Sequence, residues 1–428
     1  MMGGMGGMGG DVGVMDRGSG RGFSVRTFSS LKVGAYRVFW ISMMAQMGAM
    51  NIQLVVRSLL MYELTGSATW LGAVALANAI PSIALSLYGG VIADRLRKKY
   101  VLIVGQAGFF VLAGVTAVVI FQGAVTPTYL LVYGFLQGVV SALMMPSRQG
   151  LVRELVDRDT LMNALSLNAA GMNINRMFAP VLAGVLVEVS GGVGVAAYAF
   201  PYFAMTGLYF VATVVTAFLP KTGMVAIKGN GALADIRSGL QYIRYNPILL
   251  TVLLTTLVGV LLSMPYIFLL PVFTKSVWHV GAGAYGVLMS VSGIGALVGS
   301  LVLASLPNKR RGLLYLLSMF ITGVGLTLLA FSVSYQMALV VIVLVGVGQA
   351  GRMALSNTLV QYYTEEQYQG RVMSVYMLEF GLTSFSTFFV ALLSDSIGAP
   401  WAIGGCAIAL TVLSVVAFVA VPRLRKLD

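Results

Sequence analysis

The sequence predicts an all-α integral membrane protein whose twelve transmembrane helices form two six-helix halves. Three observations carry the prediction. The 428 residues are 58% hydrophobic and 10% charged, where soluble domains carry about 25% charged residues, and the mean hydropathy is +0.90. Apolar runs long enough to cross a bilayer, about 20 residues each, recur along the chain. The lysines and arginines between them fall almost entirely on one side.

The first residues, MMGGMGGMGGDVGVMDRGSGRGF, are Met/Gly low complexity without the apolar core of a signal peptide. A disordered tail is expected over 1–32, with Met15 as an alternative start. Spans follow near 39–62, 69–93, 100–121, 127–145, 165–187 and 196–219, which makes a first half over 33–219. A polar linker, 220–246, contains GALADIRSGLQYIRYNP, in which Leu233, Ile236, Leu240 and Ile243 recur at spacings of three and four. That spacing predicts an amphipathic helix on the membrane surface. Six more spans near 247–272, 283–306, 312–333, 335–353, 371–394 and 400–421 make a second half over 247–421, and 422–428 is a short tail. Continuous runs of this length exclude the short alternating segments of a barrel.

An even count with the N-terminus inside places Arg37, the group Arg95, Arg97, Lys98 and Lys99, then Arg148, Arg153, Arg158, Lys221, Lys228, Arg237, Arg244, Lys309, Arg310, Arg311, Arg352, Arg371, Arg423, Arg425 and Lys426 on the inner side. Only Lys275 is left outside. This is the positive-inside pattern, with both termini cytoplasmic and the chain in the plasma membrane. The formal net charge of +13 is accounted for in this way, without a nucleic-acid partner. Cys406 is the sole cysteine and His279 the sole histidine, so neither a disulfide nor a His/Cys metal site is expected. No Gly-x-x-x-x-Gly-Lys-Ser/Thr loop is present, which excludes a P-loop ATPase.

Between the second and third spans, Gly90, Asp94, Arg95, Arg97, Lys98 and Lys99 crowd charges into a very short turn. Asp94 is placed to accept charge-assisted hydrogen bonds from arginines or from a helix N-terminus, and the basic residues also serve to fix topology. The loop resembles that of the major facilitator superfamily through Gly90, Asp94, Arg95, Lys98 and Lys99, with Arg97 where the superfamily often has a second glycine. The stretches MYELTGSATWLG (61–72), PSRQGLVRELVDRDTLMNALSLN (146–168) and QGRVMSVY (369–376) are similar to its enterobactin-exporter and macrolide-efflux branch. Asn175, Arg176, Pro180 and Gly184 resemble the antiporter motif of helix five, with Ala179 replacing a glycine.

The resemblance implies the major facilitator fold and proton-coupled efflux of a drug, macrolide or siderophore-like molecule by a monomeric carrier without cofactor. It also implies a gating role for the loop of Asp94 and a cavity bordered by helices one, four, seven and ten. That favours Asn51, Gln53, Gln137 and Tyr266 as cavity residues, with Phe268 and Tyr335 as further aromatics. An uptake carrier of the same fold, or a multi-span membrane enzyme, stays open as an alternative. Three charges fall inside spans, and each is a functional candidate because charge is costly in hydrocarbon: Arg57, Arg176 and Glu379. By a rise of ~1.5 Å per residue, Glu379 and Arg176 lie at comparable depths, ~12 and ~16 Å from their inner ends, so they are able to pair if their helices touch. Arg57, ~27 Å from its inner end, is close enough to the outer interface to snorkel. Glu379 is the first candidate to carry a coupling proton, because burial favours the neutral form of a carboxylate.

Overall fold

The computed structural model describes residues 28–192, 194–220, 232–307 and 309–427, without the side chains of 86, 87, 89–95, 158, 232–236 and 380. Twelve helices among these residues are long and apolar enough to cross a membrane. The first six are α1 Gly34–Thr65, α2 Ala68–Arg95, α3 Lys98–Phe121, α4 Pro127–Leu155, α5 Arg158–Val189 and α6 Ala199–Ala217. The second six are α7 Pro247–Val277, α8 Ala282–Ser305, α9 Arg311–Ala330, α10 Tyr335–Tyr362, α11 Gln369–Ile397 and α12 Ala399–Ala420. With twelve spans, Phe28 and Leu427 and the turns that hold Arg97, Lys98, Arg310 and Arg311 share one membrane face, called the basic face below.

The helix ends follow from local chemistry. Gly66, at φ +62°, ends α1 in the left-handed conformation that glycine adopts without strain. Thr126, Asn246 and Ser334 cap α4, α7 and α10 with their side-chain oxygens, and Pro127 and Pro247 occupy the first turn, where a missing N–H costs nothing. Helix α7 is broken: Pro247–Ser263 gives way to Pro265–Val272 and then to a π-helical turn, Phe273–Val277. Pro265 and Pro271 withdraw backbone donors there, the usual cause of such a break.

Several helices outrun the spans expected for them. Helix α4 continues past 145 through Pro146 to Leu155, and α10 continues past 353 to Tyr362, so Arg148 and Arg352 belong to helices and not to loops. The tail expected over 1–32 also ends sooner. Ser29–Lys32 forms a 3-10 turn whose Ser30 is buried on α5, its N–H donating to Asn163 Oδ1 at 3.0 Å. The linker helix runs over Ala232–Tyr245 and packs on the basic end of α11, with Tyr242 stacked on Tyr368 at 4.1 Å and Ile243 buried.

In the first half α2 packs on α4, α3 on α6, and α1 on α5 and α6; the same pairs recur in the second half six helices on. Glycine permits the tightest of them. A Cβ at Gly295 would lie 2.4 Å from Val343 O and one at Gly346 2.2 Å from Ser292 O, so α8 and α10 touch backbone to backbone.

The halves meet through α5 with α8 and α2 with α11, and the contact is one-sided. Ser166, Asn173 and Pro180 share one face of α5, as do Gly286, Gly293 and Ser300 on α8, and Ser374, Gly381 and Phe388 on α11, because seven residues make about two turns. Pro180, Gly286 and Gly293 are covered by the partner half, and Gly381 and Phe388 pack on α2, whereas Ser166, Asn173, Ser300 and Ser374 are exposed. The helices therefore diverge toward the basic face and close at the opposite one.

A Cβ at Gly286 would sit 2.3 Å from Pro180 O, so this closure depends on glycine. Gly286→Leu is expected to disfavour the described state by about 1–3 kcal/mol, the cost of overpacking, or about 5- to 150-fold in population. The check is maleimide labelling of Asn173→Cys in a Cys406→Ser background, which slows as the cleft shuts.

Candidate functional site

A cavity of about 300 Å³ lies between the halves, lined by Met47, Met50, Asn51, Gln53, Leu54 and Arg57 of α1, Ala75 and Asn78 of α2, Gln137 of α4, Phe268 of α7 and Ser384 of α11. Of the expected cavity residues, Asn51, Gln53 and Gln137 line it and Tyr266 does not. Tyr266 is 2% exposed and is held among Ser292, Arg176 and Arg352, while Phe268, two residues on, takes its place at the wall.

Arg57 does not snorkel outward. It is 6% exposed, and its Nη1 donates to Gln137 Oε1 at 2.7 Å. Around it stand the buried Tyr133, Tyr202 and Tyr209, of which Tyr133 and Tyr202 meet edge to face and Tyr209 donates to Gln53 Oε1 at 3.1 Å. Tyr202 Oη and Gln53 Nε2 are buried without a hydrogen-bond partner. Asn78 Nδ2 donates to Gly134 O, and Asn51 Nδ2 to Met47 O.

The second half holds a buried acid and base that do not form the pair expected from depth alone. Glu379 is 5% exposed, with Oε2 unbonded, and its charged neighbour is Arg352 of α10, itself 1% exposed. Each lies ten residues from the basic end of its helix, ~15 Å by rise. Tyr315 and Tyr376 complete the setting, hydrogen-bonded to Thr256 at 3.0 Å and to Ser356 at 2.9 Å. Arg176 instead reaches across the halves, Nη2 donating to Gln349 Oε1 at 3.3 Å. The Arg176–Glu379 pairing is absent because α5 packs on α8 and α11 on α2. Sequence reading missed Arg352 by ending its span at 353. The apolar positions Leu355, Leu359 and Val360, now buried, were the available signal that the helix continues.

The rest of the helix-five motif lies at the interface between halves. Asn175 turns toward α1, donating to Gly171 O and Met44 Sδ, while Pro180 and Gly184 pack against the backbone of α8. In the charged turn, the side chains of Gly90, Asp94 and Arg95 lie outside the described residues. Arg97 is exposed at the start of α3; Lys98 is buried in an ion pair with Glu154 of α4, and Lys99 donates to Ala217 O at 2.8 Å and to Leu219 O. Both lysines fasten α3 within its own half.

The closed face is sealed by polar contacts that all cross between halves. Lys275 of α7 forms an ion pair with Glu63 of α1, and Tyr62 Oη lies 2.6 Å from Ser276 Oγ. Asp395, near the end of α11, accepts from Ser67 Oγ at 2.5 Å and from the N–H groups of Ala68 and Thr69 at 2.8 and 2.9 Å, in the first turn of α2. Glu188, at the end of α5, accepts from Gly283 N at 3.0 Å in the first turn of α8, whose own N-cap residue supplies no side chain. A carboxylate there satisfies a donor without an intrahelical partner and meets the positive end of the helix dipole. The two caps are related by the pseudo-twofold of the fold. They escaped sequence reading because the orientation rule weighs only lysine and arginine.

Residues 25–428 match the family described as transmembrane secretion effector. The staphyloferrin A transporter of Staphylococcus aureus is 24% identical over 78% of this chain and 82% of its own length. The multidrug efflux pump Tap of Mycolicibacterium fortuitum is 27% identical over 89% and 94%, and the enterobactin exporter EntS of Salmonella typhimurium 24% over 67% of each. Among solved structures, a bacterial homologue of the human lysosomal transporter Spinster superposes with a TM-score of 0.73 at 11% identity, covering 95% of this chain and 99% of that one. The nucleoside transporter NupG gives 0.71 at 13%, covering 91% and 99%. With twelve spans in two six-helix halves around a central cavity, the chain belongs to the transmembrane secretion effector family of the major facilitator superfamily and is a multi-pass membrane transporter.

Proposed function

We propose that the protein exports a small molecule across the plasma membrane by alternating access, with protons moving in the opposite direction. The observation that carries this reading is a cavity bounded by both halves, sealed at one face and splayed at the other, the geometry of a carrier caught on one side of its cycle. The basic face is cytoplasmic by the positive-inside rule, so both termini are inside and the described state is inward-open. Similarity to an efflux pump, Tap, and to an exporter, EntS, supports the outward direction and a drug or siderophore-like substrate.

Glu379 is the coupling acid. It is the carboxylate buried beside Arg352, and gaining a proton there changes how strongly α11 is held to α10. The segment 90–99 biases which side is open. Lys98 and Lys99 fasten its end to the first half, and Asp94 with these basic residues is our candidate for the group that sets the bias. One chain bounds the whole cavity, which supports a monomeric carrier.

Proteoliposomes with an imposed pH gradient, screened against drug and siderophore panels, test the reading. Substrate accumulation in the compartment facing away from the basic side, collapsing with a protonophore, is the expected result. Movement indifferent to the gradient removes proton coupling, and accumulation on the basic side makes the protein an uptake carrier.

A further inference from the structure

The transported molecule has not been assigned a charge, and the cavity carries information on it. Arg57 is a guanidinium with little access to water at the wall of a space bounded by both halves. Its Nη1 donates to the neutral oxygen of Gln137. Among the described residues no acid lines the cavity, and the electrostatic neighbours of Arg57 are Tyr202, Tyr133 and Tyr209, while Glu63 is engaged with Lys275, Glu154 with Lys98, Glu188 with the α8 N-terminus, and Glu379 stands beside Arg352. Gln53 Nε2, buried without a partner, is a further donor on the same wall, and Tyr202 Oη lies buried and unpartnered behind Arg57. A buried charge without a counter-charge is costly. A guanidinium resolves that cost best with a planar anion that accepts two parallel N–H groups.

From this geometry we infer that the cavity binds an organic anion, with a carboxylate or comparable planar oxyanion on Arg57 and its apolar body against Met47, Met50 and Phe268. The inference deepens the transport reading above and rests on it. Its volume, about 300 Å³, is at the small end of ligand pockets, which fits a compact acid or the acidic head of a larger molecule. Arg57 and Gln137 are then the residues that set substrate charge.

Equilibrium binding to the purified full-length chain in detergent tests this without any gradient. The probes are radiolabelled 1-naphthoate and 1-naphthamide, which differ in charge and little in shape, with a short panel of aliphatic acids and their amides. Chloride and inorganic phosphate serve as competitors. Wild type is expected to hold at least one acid about tenfold or more tightly than its amide.

Arg57→Gln is expected to bring that ratio near one by weakening acid binding about tenfold more than amide binding. Should Arg57→Gln fail to fold, Gln137→Glu serves in its place, because it supplies the missing carboxylate from within and is expected to abolish acid preference. The inference is overturned if no acid outbinds its amide, if the ratio survives both substitutions, or if chloride displaces naphthoate at equal concentration, since Arg57 would then hold an inorganic counter-ion. Acid-selective binding without proton-driven transport would count against the coupling reading alone, and proton-driven transport without acid selectivity against this inference alone.

Discussion

Glu188→Gln combined with Asp395→Asn is expected to shift the carrier from inward-open toward outward-open. Glu188→Gln keeps an oxygen to accept from Gly283 N, so it loses charge alone; Asp395 accepts with both of its oxygens, so Asp395→Asn loses charge and one of the two acceptors at the α2 N-terminus. Such a charge contributes about 0.3–1 kcal/mol at an exposed site. Both carboxylates are solvent-exposed, which argues for the lower half of that range through screening. The two sites sit on different helix pairs and should add, for about 1 kcal/mol from charge with the lost acceptor at Asp395 adding to it, and a shift of about fivefold or more. Spin labels on Ser166→Cys and Ser300→Cys, which flank the open cleft, report it as growth of the shorter distance population. Each single variant is expected to give part of the free-energy change, Asp395→Asn the larger part, and raising salt should mimic the charge component in wild type. An unchanged distance distribution in the double variant would remove the caps from the gate.

Replacing Glu379 by Gln should separate coupling from transport. The amide is nearly the same shape and imitates the protonated acid permanently, so Arg352 has no charge opposite it in any state of the cycle. Accumulation driven by an imposed pH gradient is expected to fall tenfold or more, about 1.4 kcal/mol or greater in free-energy terms. Exchange of labelled for unlabelled substrate at equal pH on both sides should continue. Gradient-driven accumulation at the wild-type rate and with wild-type pH dependence would end the coupling role of Glu379.

What could be read from the sequence was whatever depends on bulk hydrophobicity and helical period. Spans, halves and the linker helix are legible because ~20 apolar residues have no other stable use in this composition. Asn51, Gln53 and Gln137, which line the cavity, were singled out by the resemblance, which puts helices one, four, seven and ten around it; polarity inside a span does not by itself choose among such residues. Arg352 was not legible, since a base near a predicted helix end looks the same as a loop base until the helix is known to run on to Tyr362. Neither was the pairing of Glu379, because depth along a helix says nothing about which neighbour it faces. Glu63, Glu188 and Asp395 were invisible for a further reason: their partners are a lysine and two helix ends in the other half, between 95 and 328 positions away in sequence for the hydrogen-bonded caps.

The crossed arrangement of the two caps has an implication for how the gate opens. Each half contributes an acid and receives one, as the two subunits of a symmetric dimer do across an isologous interface. Such a contact has its axis through the middle and no preferred edge, so the halves part evenly when both caps release together. With one cap missing, the seal becomes lopsided: release begins on the bare side and the remaining acid acts as a hinge. The single variants would thus differ from wild type in the direction of tilt as well as in how often the gate stands open.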